Sequence, residues 1–168
     1  MASELILREA DRLEVTVLVD NYTDLLLRQS TEVVKRPHFT PPQAPLAEHG
    51  LACLLKVWTG SEEHTVLMDT GVSPTALFHN AGLLKVDWSK VAAVVLSHGH
   101  YDHFGGLLKL MQEVPQGTPL VLHPDAFLQR RSRNPATGRT AEMPPLSEAA
   151  LRETRAALRK AEGPSTVA

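Results

Sequence analysis

Apolar positions in the first hundred residues follow the patterns of β-strands. Polar residues alternate with four apolar ones and predict an early strand with one buried face: Leu13, Val15, Val17 and Val19. Residues 51–58 form a mainly apolar run, and a short polar turn joins them to residues 64–68, which predicts a hairpin. Residues 91–96 are apolar throughout, as expected for a central strand covered on both faces.

Helical spacing is found between and after these strands. Ser73-Pro74 predicts the start of a helix that runs to about Leu84, since proline suits the first helical position. Apolar residues from Phe104 to Met111 recur at helical spacing, which predicts a helix to about Val114. A short strand at residues 120–123 and a helical stretch from Pro124 follow.

The last third of the chain predicts a loop and a final helix. Residues 132–146 have the composition of a loop, and Ser147 can cap an amphipathic helix in which Leu151 and Leu158 lie two turns apart. The predicted order is βββαβαβα, and no internal repeat is present. The fold class is therefore α/β.

A long loop interrupts this order. Residues 28–49 are polar and contain four prolines, which remove backbone donors and disfavour helix in the preceding residues. A length of 168 residues is typical of one domain. The sequence thus predicts a single domain over residues 1–168, with a loop at 28–49 and a C-terminal helix and tail at 145–168.

Composition narrows the possible partners and location. A net charge of −2 indicates neither a nucleic-acid partner nor an anionic membrane partner. Cys53 is the single cysteine, so an internal disulfide framework and a cysteine-only zinc site are excluded. The acidic N-terminus is unlike a secretory signal, and no stretch is apolar enough to span a bilayer. We therefore expect a cytoplasmic protein.

Four candidate metal ligands follow the central strand within six residues, in the motif His98-Gly99-His100-Tyr101-Asp102-His103. Imidazole and carboxylate groups are the usual ligands of zinc and related first-row metals. Just past a strand end, His-x-His can aim two imidazoles at one ion, and the next turn can direct the aspartate and the third histidine to a second ion. Two such ions activate a water molecule as a nucleophile. The alternative, an exposed polar loop, is disfavoured because a tight turn would then hold several unsatisfied or repelling groups.

The residues around this motif resemble the metallo-β-lactamase fold superfamily. The similarity is carried by Ser97-His98-Gly99-His100-Tyr101-Asp102-His103-Phe104-Gly105-Gly106. Four further segments resemble the branch that contains archaeal 7,8-dihydropterin-6-yl-methyl-4-(β-D-ribofuranosyl)aminobenzene 5′-phosphate synthases: residues 19–21, 48–50, 67–71 and 79–81. The similarity runs from about Val15 to Arg130. It implies an αβ/βα sandwich of which this chain is the N-terminal half.

The resemblance also implies roles for individual residues. His98 and His100 would bind the first ion, and Asp102, which is also the catalytic candidate, would bind the second together with His103. Zinc is the default for both divalent ions, with manganese and iron as alternatives. Asp69 matches an aspartate that orients the ligand loop by hydrogen bonds. Its alternative role is that of a strand-ending Asp-Thr-Gly turn.

Other candidates are weaker. His49 and His123 are predicted to contact the substrate, although an exposed loop histidine and a structural strand-end histidine are the respective alternatives. His64 and His79 have no clear role. The arginines Arg130, Arg131 and Arg133 could hold a phosphate, or they form a solvated surface.

The chain departs from the family pattern after residue 123, where no further histidine occurs. The family supplies later ligands to both ions, whereas the four ligands here give each ion two, fewer than the three typical of catalytic zinc. The sequence therefore predicts a truncated form. Two functions remain open: a metal-dependent hydrolase or synthase acting on a small, phosphorylated or ester-type molecule, or an incomplete half-domain that binds a partner chain or itself through exposed apolar sheet.

Overall fold

The computed structural model describes residues 7–154 and 156–167 of the chain. Residues 1–6, where we expect no secretory signal, lie outside the described residues, as do Arg155 and Ala168. The described residues contain eight strands: β1 (Arg12–Val19), β2 (Ala52–Thr59), β3 (Glu62–Met68), β4 (Val91–Val95), β5 (Pro119–Leu122), β6 (Arg131–Arg133), β7 (Thr140–Glu142) and β8 (Ala157–Lys160). Strand order in the main sheet is β1-β2-β3-β4-β5-β8, and β6 and β7 form a separate pair.

The main sheet is mixed. Strands β1, β2 and β3 pair antiparallel, while β3, β4, β5 and β8 run parallel to one another. The carboxyl ends of β3, β4 and β5 therefore meet at one end of the sheet, beside the start of β2. The predicted site residues lie in the connections at that end of the sheet.

Helices cover the sheet and fill the crossovers. Within the described residues they are α1 (Pro74–Leu83), α2 (Tyr101–Phe104), α3 (Leu107–Glu113) and α4 (Glu148–Arg152), with short 3-10 helices at Trp88–Lys90 and Pro124–Phe127. Helix α1 begins as predicted: the Ser73 hydroxyl accepts a hydrogen bond from the Thr75 amide, and Pro74 is the first helical residue. None of the helices described is both long and apolar enough to cross a membrane.

One face of the main sheet carries the core. Leucines and a valine at paired positions on neighbouring strands form one buried cluster with Leu77 of α1 and Leu110 of α3: Leu54, Leu67, Val94 and Leu120. Their side chains are at most 4% exposed. The apolar runs that predicted β2, β3 and β4 are confirmed by this packing, since removing that surface from water is the main gain of folding.

Strand β1 is only half covered. Its alternating residues Leu13, Val15 and Val17 are 52–57% exposed, whereas Leu18 and Val19 at its end are buried. The predicted alternation is confirmed as a strand, but the face we expected to be buried is largely open in the structure. Helix α1 contacts the buried end of the strand, where the Asn80 side chain donates to the Leu18 carbonyl.

Two predictions about the last third of the chain are wrong. The final helix stops at Arg152, and Leu158 lies in β8, paired with Leu120 of β5. Pairing with β5 satisfies backbone groups that would otherwise lie at an open sheet edge, and it places Leu158 against the core. Residues 132–146, predicted as loop, contain most of the β6–β7 pair. Strands of three residues are too short to show a recognisable alternation of apolar and polar residues in the sequence.

The long loop between β1 and β2 has no helix or strand in residues 20–51, in keeping with its prolines. Asn80 of α1 anchors its far end, because its side-chain amide donates to the carbonyls of Leu18 and Leu46 and its oxygen accepts from the Leu46 amide. Asn80 is only 4% exposed. Beyond this anchor, the Glu48 carboxylate accepts a hydrogen bond from Ser73, which fixes the segment that leads to His49.

Candidate metal centre and adjoining cavity

The predicted metal ligands lie in the connection after β4. We call residues 97–106 the histidine loop. It follows the carboxyl end of β4 and forms helix α2 before α3 begins. The carboxyl ends of parallel strands lie at the same edge of the sheet. Side chains from the connections that follow these strands can therefore meet at that edge.

The histidine loop brings all four predicted ligands together. The ring centroids of His98 and His100 are 4.5 Å apart, and those of His98 and His103 are 4.2 Å apart. Asp102 Oδ2 lies 3.6 Å from His103 Nε2. The side chains of Asp102 and His103 are 16% and 18% exposed, so these two are largely removed from water, whereas His100 is exposed.

Asp69, at the end of β3, lies directly behind the loop and is 1% exposed. Its Oδ1 accepts a hydrogen bond from the Ser97 amide, and its Oδ2 accepts one from the Ser97 hydroxyl and lies 2.8 Å from His103 Nδ1. A carboxylate on Nδ1 leaves Nε2 of the same ring free to bind a metal. Asp69 has a φ of 59°, a left-handed conformation that aspartate tolerates better than most residues.

The backbone of the histidine loop is joined to the Asp69-Thr70-Gly71 turn. The Thr70 amide donates to the His103 carbonyl at 2.8 Å, and the Gly105 amide donates to the Gly71 carbonyl at 2.9 Å. A Cβ on Gly105 would lie 1.9 Å from the Val72 carbonyl oxygen. Glycine is therefore required for the two connections to approach this closely.

Gly99 makes a similar close approach on the other side of the loop. A Cβ on Gly99 would lie 2.0 Å from the carbonyl oxygen of Ala126, in the Pro124–Phe127 helix. The histidine loop is thus packed between the turn after β3 and the helix after β5. Both contacts are backbone contacts, so the position of the loop depends little on flexible side chains.

His49 also reaches the site. Gly50, with a φ of 105°, packs so closely that a Cβ would lie 1.9 Å from the Asp102 carbonyl oxygen. His49 Nε2 lies 3.4 Å from Asp102 Oδ2, although the imidazole is 68% exposed. Asp102 Oδ2 therefore has an imidazole nitrogen on either side, from His49 and from His103.

The electrostatics of the site favour neutral imidazole at His98. Partial burial, and then the neighbouring His103 and His100, lower the pKa of His98 below its usual 6.5. A neutral imidazole keeps the lone pair that a metal requires. The pKa shift therefore agrees with the chemistry of a ligand.

The donor set fits a metal ion in chemistry and, for Asp102 and His103, in spacing. Ligands bound to one tetrahedral ion at about 2.0–2.1 Å are about 3.3 Å apart, close to the 3.6 Å that separates Asp102 Oδ2 from His103 Nε2. Within residues 7–154 and 156–167, however, no group of three or more histidine, cysteine, aspartate or glutamate side chains is placed so that it could hold an ion. The side chains are gathered but do not form a finished cage.

A cavity of about 360 Å³ opens beside the histidine loop. One wall is formed by the histidine loop and His49, and the other by residues 130–143. We call residues 130–143 the arginine hairpin, because they contain four arginines and the antiparallel pair of β6 and β7. The cavity is lined by His49, His100, Tyr101, Asp102, Arg130, Arg131, Ser132 and Met143. Two of the three arginines that the sequence suggested for phosphate binding thus share a cavity with two of the predicted metal ligands.

The remaining candidates lie apart from the cavity. His123 begins the Pro124–Phe127 helix, where its Nδ1 accepts a hydrogen bond from the Asp125 amide, and its predicted substrate contact stays a prediction. His79 Nε2 bonds to the Ala44 carbonyl and so helps to hold the long loop. His64 lies on β3 beside Glu62.

The sequence interpretation missed three features of this site. Ser97 joins the loop to Asp69, and its position directly before the motif was the available signal. Gly50 sets His49 against Asp102, but nothing local indicates which backbone a glycine will approach. Ser132 and Met143 line the cavity only because the arginine hairpin folds back, which is a tertiary effect.

Comparison with known proteins places the chain in a family. A family model of the metallo-beta-lactamase superfamily matches residues 53–163, about two thirds of the chain. A 7,8-dihydropterin-6-methyl-4-(beta-D-ribofuranosyl)-aminobenzene-5'-phosphate synthase of Methanocaldococcus jannaschii is 32% identical over 81 residues, which cover 48% of this chain and 28% of the relative. An uncharacterised protein of the same archaeon is 31% identical over 88 residues, covering 52% and 32%.

Comparison with solved structures also finds similar chains. The Rm3 metallo-beta-lactamase is similar with 23% sequence identity and a TM-score of 0.44, over 73% of this chain and 44% of that one. The chain matches less than a third of the length of the two curated relatives. The resemblance read from the histidine motif is confirmed by the family match, and this α/β chain belongs to the metallo-beta-lactamase superfamily.

Proposed function

We propose that the chain is a metal-dependent enzyme of its superfamily that acts on a small, phosphorylated molecule, with chemistry related to the synthase of M. jannaschii. The observation that carries this proposal is the histidine loop itself: three imidazoles and a carboxylate gathered beside a cavity and braced by the buried Asp69. A loop without a metal role would have little reason to collect three imidazoles beside a carboxylate.

The residues divide between two ions. His98 and His100 would hold the first, and Asp102 and His103 the second, with zinc as the default and manganese or iron as alternatives. When bound, a pair of such ions polarises the substrate and lowers the pKa of a water molecule. Because each ion would have only two donors from the histidine loop, its further ligands would come from the substrate, from other side chains of this chain after rotation, or from another chain.

The other residues orient the reaction. Asp69 fixes the ring of His103 through Nδ1 and the start of the loop through Ser97. Asp102, which lies close to His49 and His103, would accept a proton from the attacking nucleophile through the carboxylate oxygen that does not bind the ion. His49 is exposed on the cavity side of Asp102 and can pass that proton to solvent.

Metal content of the purified chain tests this function. Elemental analysis after zinc equilibration and desalting should give about two ions per chain, and the double variant His98→Ala/Asp102→Ala should lose them. The variant Glu62→Gln/His64→Ala removes a histidine and a carboxylate that lie outside the site, so it should retain both ions. A parent chain that retains no more metal than the double variant would overturn the proposal.

A second function is favoured by the open face of β1. Three apolar side chains on it are more than half exposed, and exposed apolar residues on an edge strand promote association. We propose as the alternative that the chain binds a second chain, or itself, through this face and completes the metal site there. Sedimentation of the parent beside Leu13→Glu/Val15→Lys separates the two: a monomeric parent with full metal content excludes the alternative.

A further inference from the structure

The arginine hairpin concentrates positive charge beside an otherwise acidic chain. Residues 130–142 contain four arginines and one glutamate, while the whole chain has a net charge of −2. Ion pairs in the described part of the chain use other arginines, and none includes Arg130, Arg131 or Arg133. Glu142, which lies opposite Arg131 in the strand pair, is the one carboxylate of the hairpin, so the hairpin keeps a net positive charge.

The hairpin holds part of this charge in a defined place. The Arg130 guanidinium donates to the Asp125 carbonyl at 2.7 Å, and the Arg130 carbonyl accepts from the Met143 amide at 2.9 Å. Asp125 belongs to the Pro124–Phe127 helix, against which Gly99 of the histidine loop packs. Arg130 is thus positioned relative to the histidine loop through one short helix.

Arg130, Arg131 and Ser132 line the same cavity as His100 and Asp102, whereas Arg133 and Arg139 do not. Two guanidinium groups and a hydroxyl or amide can together supply several charge-assisted hydrogen bonds to a tetrahedral dianion. A cavity of about 360 Å³ is within the usual range for a small-molecule site. An anionic group placed there would sit across the cavity from the proposed metal centre.

We propose that Arg130, Arg131 and Ser132 form an anion subsite that binds the phosphate of a phosphate monoester and so selects phosphorylated substrates. This inference rests on the proposed function for its meaning, because the subsite would present the rest of the substrate to the histidine loop. Phosphate binding itself requires only the arginine hairpin. The inference can therefore be tested without measuring enzyme activity.

Calorimetric titration of the full, chelator-treated chain with inorganic phosphate tests the subsite directly. The parent should bind one phosphate, and Arg131→Gln should weaken the affinity by about tenfold or more, since a charged, bidentate partner is lost. Arg131→Lys should give an intermediate loss, because charge remains but the paired donors do not. Circular dichroism of each variant should match the parent, since Arg131 is exposed.

Arg139→Gln is the matched control. It removes the same charge from the same hairpin but lies outside the cavity, so its affinity should remain within about twofold of the parent. An equal loss in Arg139→Gln and Arg131→Gln would show diffuse attraction and overturn the subsite. Acetate that binds as tightly as phosphate would overturn the assignment to phosphate.

Metal content, measured separately, distinguishes this inference from the proposed function. A chain that retains two ions but binds no phosphate without them overturns the subsite and leaves the metal enzyme standing. A chain that binds phosphate through Arg131 but retains no metal supports the subsite and overturns the metal enzyme.

Discussion

The histidine loop and the arginine hairpin form opposite walls of one cavity but are built differently. The histidine loop is held by backbone contacts of Gly99 and Gly105 and by the buried Asp69. In the arginine hairpin, residues 131–142 are all exposed, and its strands are three residues each. The first wall is fixed by packing, the second mainly by its own hydrogen bonds.

This difference matches the role that we propose for each wall. Metal ligands must be held within a few tenths of an ångström, which requires neighbours that cannot move. Recognition of a phosphate by arginines tolerates more freedom, since long charged side chains can adjust to the anion. We therefore expect substitutions in the histidine loop and behind it to cost far more stability than equivalent substitutions in exposed segments.

The largest expected effect is that of Gly99→Ala. Its Cβ would lie 2.0 Å from the Ala126 carbonyl oxygen, so a backbone segment must move. We expect a loss of roughly 3 kcal/mol or more in the free energy of unfolding, measured by urea denaturation. The control Gly82→Ala, at a helical glycine with nothing within 4 Å, should instead stabilise the chain by about 0.5–1 kcal/mol. Equal stability of the two variants would contradict the close packing of the loop.

Asp69→Asn should have the next largest effect. Asparagine tolerates the same φ, but its amide cannot accept all the hydrogen bonds from Ser97 and His103, which leaves a buried group unsatisfied at a cost of about 1–3 kcal/mol. Chelator competition should also show the metal affinity of the proposed centre lowered about 10–100-fold.

Asp87→Asn is the control for Asp69. Asp87 also accepts from the amide and hydroxyl of a serine, Ser89, but it is exposed. Its substitution should change stability by less than about 0.5 kcal/mol. A comparable loss in both variants would mean that burial does not distinguish the two aspartates.

Asn80→Ala should cost about 2 kcal/mol, because the backbone groups of Leu46 and Leu18 lose their buried partner. Asn134→Ala removes an asparagine that also accepts from two amides but lies exposed in the arginine hairpin, and it should cost less than half as much. Hydrogen exchange at the Leu46 amide should accelerate only in Asn80→Ala. Unchanged exchange there would show that the loop is held without Asn80.

The smallest expected effect is that of Glu148→Gln, which concerns an exposed link between α4 and β8. Hydrogen bonds from Lys160 and then Arg152 lower the pKa of Glu148 below its usual 4.5. Because the folded-state pKa is the lower one, this stabilisation is present above pH 4.5 and is lost as the pH falls through the lowered pKa. Thermal unfolding should show parent and variant differing slightly at neutral pH and converging in acid; a difference that grows in acid would contradict the link.

Much of this molecule followed from local sequence. The apolar runs placed β2, β3 and β4 within one or two residues of where they lie, and Ser73-Pro74 placed the start of α1. The spacing of four ligand-type residues indicated the histidine loop, and the resemblance of residues 97–106 to a family motif indicated the superfamily. These features depend on periodicity, helix capping and ligand chemistry, which involve residues close together in the sequence and can therefore be recognised from it.

Tertiary structure decided what those rules leave open. Leu158 is compatible with a helix or a strand. It lies in strand β8 because this segment pairs with the free edge of β5. His49 reaches Asp102 because Asn80 and Gly50 bring two distant segments together, and the arginine hairpin reaches the cavity only by folding back along residues 130–143. The sequence by itself determined the family and the candidate ligands. Long-range packing determined which other side chains share their cavity, because such contacts join residues whose separation along the chain carries no local signal.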